Sequence, residues 1–157
     1  MKIPPIPGST SPIVTQSASF SQLEMEPMSE IYNSLYSAVT YKKAAALDEL
    51  NKAADECSTE NWDGYNALPL TKSSYMESFE FIKMLPLWTP LASIGGTPDG
   101  EVAFEWQHGH SAMILTLSGA GKVVYAAILN GRRKFHGEEP FIDEIPTTIT
   151  DFLNEFK

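Results

Sequence analysis

The apolar positions of this chain change period partway along, and the change divides it. "SEIYNSLYSAVTYKKAAALDELNKAADECS", residues 29–58, runs thirty residues without glycine or proline. Ile31, Leu35 and Val39 recur at helical spacing, and Leu47, Leu50, Ala54 and Cys57 make a second stripe. The segment "YKKAAA" between them shifts the phase, so the pattern fits one long helix or two with a bend. Ser29 is the expected N-cap. Tyr32 and Tyr36 form an aromatic edge on the first part, which reads either as packing on a sheet or as a homodimer or partner face.

A second, shorter helix is predicted in "TKSSYMESFEFIKMLP". Thr71 or Ser74 caps it, Ser74 and Glu77 have capping-box spacing, and Pro86 ends it. Tyr75, Phe79 and Ile82 are its expected core face, with Phe81 and Leu85 beside them.

After residue 97 the period becomes two. "TPDG" is a turn, and "EVAFEWQ" alternates Val102, Phe104 and Trp106 against Ala103 and Glu105. "SAMILTL" and "KVVYAAIL" follow across a glycine-rich loop, and "NG" at 130–131 returns the chain through "RRKFHG". This predicts an antiparallel meander of about four strands. A last amphipathic helix carries Ile149, Phe152, Leu153 and Phe156, with Pro146 in its first turn. Helices followed by strands give an α+β domain with the two N-terminal helices and the C-terminal helix packed on one sheet face. Glu101, Glu105 and Thr116 suggest that the other face is wet.

Residues 1–28 differ from the rest. They hold five of the eleven prolines, many Ser and Thr, and few large apolar side chains. Such a segment buries too little to offset its ordering entropy. The expected organisation is a flexible tail, 1–28, and one α+β domain, 29–157.

Composition narrows the function classes. One cysteine, Cys57, makes no intramolecular disulfide and reads as a buried small hydrophobe. Prolines interrupt every apolar run near the start, so no secretory signal is drawn, and the longest apolar run, "VVYAAIL", is too short to span a bilayer. The expectation is a cytoplasmic protein without membrane contact. Net charge is −9, spread along the chain. "RRK" at 132–134 is the one basic cluster, which argues against direct nucleic-acid binding and favours a protein partner with a basic surface.

Candidate chemistry is sparse. His108 and His110, with Glu105 or His136, have the residue types for a zinc site, but His-Gly-His lies where a hairpin must turn. "SGAGK" is followed by a strand rather than a helix, so it is not a phosphate loop. No cofactor and no catalytic residue are assigned; a metal-dependent enzyme on the histidine turn remains the alternative, as does a homo-oligomeric structural module. In "NWDGYNALPL", Asp63-Gly64 demands a turn, with Trp62 and Tyr65 beside it. Trp62, Asp63, Tyr65, Glu105, Tyr32 and Tyr36 are the candidate binding residues.

"NWDGYNALPLT", a helix ending in "LP", "PDGEVAFEW" and the aromatic strand with Tyr125 together resemble a widespread family of small, uncharacterised bacterial and phage-borne proteins. The similarity covers roughly residues 60–156. Its matching residues (Trp62, Asp63, Gly64, Tyr65, Pro69, Pro98, Asp99, Gly100, Glu105 and Trp106) are mostly turn formers and core aromatics. The resemblance brings no catalytic role. It implies a non-catalytic accessory module acting through protein contact, as an antitoxin, immunity factor or phage anti-defence inhibitor, by analogy alone.

Overall fold

The computed structural model describes residues 20–157; the side chains of residues 20–29, 31, 32, 34–36, 38 and 39 lie outside the described set. The chain divides into two compact units, Met1–Ser37 and Ala38–Lys157. What is described of the first is the opening stretch of a helix, α1 (Phe20–Glu56). This helix begins nine residues before the expected cap, so Ser29 lies inside it, and so does Pro27. "FSQLEME" is built mostly of good helix formers, which carries the helix past the serine.

The second unit holds the rest of α1, then α2 (Lys72–Met84), β1 (Ser93–Gly96), β2 (Val102–His108), β3 (Ser111–Leu117), β4 (Lys122–Leu129), β5 (Arg133–Pro140) and α3 (Thr147–Asn154). The strands form one antiparallel sheet in the order β1-β2-β3-β4-β5. This is the α+β class with a meander, one strand longer than expected. The extra strand, β1, reads Ser-Ile-Gly-Gly, and its two glycines hide it from any propensity argument. Gly96 has a packing reason: a Cβ there would lie 2.5 Å from the Cys57 sulfur.

One face of the sheet carries the core. Val102, Phe104, Trp106, Met113, Leu115, Leu117, Val123, Ala127 and Leu129 are all buried, as strand alternation dictates. Register places Phe104 opposite Leu115, and Leu115 opposite Tyr125. Phe81 of α2 meets Phe104 edge-on with ring centres 5.1 Å apart, and Phe141 at 5.6 Å. Phe152 of α3 covers Tyr125 and Phe135, at 5.5 and 5.0 Å.

The helices meet this face one position away from the sequence pattern. On α1 the buried stripe is Ala46, Leu50, Ala53 and Cys57, with Leu47 and Ala54 half-buried beside it. On α2 the buried set is Ser74, Ser78, Phe81 and Ile82, while Tyr75 and Phe79 are only half-buried. The two serines are small and let α2 approach closely. The Ser74 hydroxyl donates to the Leu117 carbonyl and accepts from the Val102 amide at 2.8 Å, tying α2 to β3 and β2. Thr71 is the N-cap, its hydroxyl accepting from the Ser74 amide at 3.2 Å. Glu77 makes no capping box. Its two carboxylate oxygens accept the Gly119 and Gly121 amides, at 2.6 and 2.7 Å, and fix the β3–β4 loop.

Candidate functional site

The loop "NWDGYNALPL" closes on itself. One Asp63 oxygen accepts the Tyr65 and Ala67 amides at 2.7 and 3.1 Å, and the Asn61 side chain accepts the Asn66 amide at 2.8 Å. Trp62 donates its indole N–H to the Leu68 carbonyl at 3.0 Å. The loop then locks to the TPDG turn. Leu68 donates to the Pro98 carbonyl at 2.8 Å, and Thr71 donates to the Gly100 carbonyl at 2.9 Å. Gly100 has φ +81°, and a Cβ there would stand 2.6 Å from the Pro69 carbonyl oxygen. The polar groups of Asp63 and Trp62 are therefore spent on local structure. Tyr65 is the exception: it is 87% exposed.

The histidines do not converge. His108 and His110 flank the β2–β3 turn, both exposed, and the His110 carbonyl accepts the Gly131 amide at 2.7 Å. His136 lies on β5 opposite Ala126. Among the described residues no three His, Cys, Asp or Glu side chains come together as metal donors. Tyr32 and Tyr36 fall among the side chains outside the described set.

The sheet's other face is the larger feature. No described helix covers it, yet its centre is apolar: Ala112 and Ile114 on β3, then Val124, Ala126 and Ile128 on β4. Ile114, Val124 and Ile128 keep 39%, 43% and 39% of their surface exposed. Register sets them side by side, Ile114 opposite Ala126 and Thr116 opposite Val124. Glu105 flanks this strip on β2, opposite Ile114, and Lys134, His136 and Glu138 flank it on β5. Together they line a broad, shallow groove. Lys122 pairs with Glu138 at 2.8 Å, so charge at that rim is mixed.

The wet face expected from Glu105 and Thr116 is thus an apolar strip with a polar border. Its signal was present in the sequence: "SAMILTL" and "KVVYAAIL" are nearly continuous apolar runs, the pattern of strands meant to be covered on both faces. Here one face has its cover, and no described helix covers the other. Contiguous exposed apolar surface rimmed by polar residues marks interaction sites.

The β5 edge of the sheet is guarded. The β5 edge carries Arg133, Lys134, Glu138, Glu139 and Pro140, the residue types that blunt strand addition. No family model, curated protein or solved structure matches this chain. Among the described residues no helix is long and apolar enough to cross a membrane.

Proposed function

We propose that this protein is a non-catalytic binding module that docks another protein on the sheet face that no described helix covers. The observation that carries the reading is the bare apolar strip of Ile114, Val124, Ala126 and Ile128, bordered by Glu105, Lys134, His136 and Glu138. Sheet faces of this composition release water on contact, and their charged rim supplies orientation. The net charge of −9 favours a partner with a basic surface and speeds its approach. An inhibitor of the antitoxin, immunity or anti-defence kind is the role such a module suits.

The test is affinity capture of a tagged protein at low and high salt, run beside the variant Ile128→Glu. The charge sits on a half-exposed position, so the variant folds with an unchanged circular dichroism spectrum. The wild type is expected to retain one stoichiometric partner, more at low salt, and the variant to lose it. A partner held equally by both sinks the sheet-face reading. A symmetric dimer seen by light scattering, abolished by Ile128→Glu, would instead make the partner a second copy.

A further inference from the structure

The apolar strip on the second face of the sheet has a definite width, length and charge pattern, and together they fit one kind of element. The strip is two strands wide. Its apolar side chains come from β3 and β4, while Glu105 borders it on β2 and Lys134 and His136 border it on β5. Three strand intervals separate the two borders, about 14 Å at the usual spacing of about 4.8 Å. Along the strands the strip runs from Ala112 to Thr116, with Ile128 to Val124 beside it. That length is again about 14 Å.

The two borders differ in sign. Glu105, Lys134 and His136 are all exposed. Among the described residues neither Glu105 nor Lys134 has an ion-pair partner, whereas Glu138 is already held by Lys122 at 2.8 Å. The strip therefore lies between a carboxylate on one side and an ammonium on the other. Backbone chemistry narrows the choice further. A sheet face offers side chains only, because the ladder spends its N–H and C=O groups within the sheet. An element that lies on it must satisfy its own backbone. A single strand cannot do so, and a helix does. A second sheet would satisfy itself, but it would extend over both borders and bury the Glu105 and Lys134 charges. A helix with its side chains is about 10–12 Å across and fits between them.

We infer that the occupant of this face is an amphipathic helix of the partner protein, with one apolar stripe, a basic flank towards Glu105 and an acidic flank towards Lys134. This rests on the sheet-face reading above and adds the chemistry of the partner to it. The contact is between two and three turns long, since a turn rises about 5.4 Å. The stripe covers Ile114, Val124 and Ile128, and the short side chains of Ala112 and Ala126 leave hollows for its larger residues. The charges also set direction. Turning the helix end for end would place each flank over a like charge, so only one direction along the groove is favourable.

The experiment follows amide chemical shifts of the isotopically labelled full chain during titration with synthetic peptides about four helical turns long. The first peptide has a leucine stripe, lysines along one flank, glutamates along the other and a spin label at its N-terminus. Saturable shifts are expected at Ile114, Ala126 and Ile128, with broadening by the label at one end of the groove, Ala112 or Thr116, and not at both. Exchanging the borders in the double variant Glu105→Lys, Lys134→Glu is expected to move the broadening to the other end. Peptides with lysines on both flanks, or glutamates on both, are expected to bind severalfold more weakly. So is a peptide of the first composition in which apolar and polar residues alternate. Equal binding by the alternating peptide or by all three charge patterns overturns the inference. Broadening at both ends, an end that stays put when the borders are exchanged, or shifts that avoid Ile114 and Ala126 do the same. A symmetric dimer of the chain alone that Ile128→Glu abolishes also overturns it, since the occupant is then a second copy. The sheet-face reading is judged apart, by capture with Ile128→Glu: a partner lost on that substitution keeps it even where the helical peptide fails.

Discussion

Leu115 and Ile114 are neighbours on β3 and differ little in apolarity, yet they live on opposite sides of the sheet. Leu115 is fully buried among Phe104, Tyr125 and the helices; Ile114 faces solvent between Glu105 and Ala126. The same contrast repeats on β4 between Val123 and Val124. Strand alternation sets which residue goes to which side, but the supply of helices decides which side becomes core. What is left over is a second apolar surface that no described helix covers.

The sharpest break of this comparison is a pair of alanine substitutions read by urea unfolding. Leu115→Ala is expected to cost about 2–5 kcal/mol through lost burial and a cavity. Ile114→Ala should cost under about 1 kcal/mol, because its contacts are already partly with water. Equal costs would mean that the second face is part of the core. A smaller effect follows on the polar side. Ser74→Ala takes a hydrogen-bond partner from the Val102 amide and from the Leu117 carbonyl, at about 1–3 kcal/mol in all. Thr116→Ala, on the bare face, should change the urea midpoint hardly at all.

A further small effect, seen only as pH rises, concerns the thiol on the covered side. Burial pushes the Cys57 thiol above its ordinary pKa, while a Gly96 backbone hydrogen bond pulls the other way. The folded state therefore holds the proton more firmly than the unfolded chain. That contribution is complete below the unfolded thiol pKa and is lost as pH rises through the raised folded value. Stability should fall more between pH 7 and 10 in the wild type than in Cys57→Ser, as measured by urea midpoints. Parallel curves for the two proteins would remove Cys57 from the account.

How much of this was legible in the sequence follows from which signals are local. Period-two alternation and the Asn130-Gly131 turn located β2 to β5, and the capped second helix was visible in Thr71 and Ser74. The short strand β1 was not, since both of its glycines have low strand propensity and only Gly96 has a tertiary reason, its close approach to Cys57. The buried side of α2 was misplaced because large aromatics at Tyr75 and Phe79 outweigh Ser74 and Ser78 in any hydrophobic count. Yet the small serines are what allow contact with the sheet. The apolar second face was hidden for a related reason. Glu105 and Thr116 suggested a wetted side, but they border an apolar centre that only the register of β3 against β4 assembles. Asp63 and Trp62 stood out as candidates, and hydrogen bonding within their own loop accounts for both.

The strict order of the sheet has a consequence for how the chain is made. Every strand pairs with its neighbour in sequence, so each hairpin of the meander closes over a short loop. Such topologies meet a low entropic barrier and assemble quickly. During synthesis the sheet can zip one strand at a time as each emerges. Phe152, which caps Tyr125 and Phe135, arrives only after the fifth strand. Until it does, the aromatic side of β4 and β5 stands uncovered, and the nascent chain is at its most adhesive just before its last helix docks.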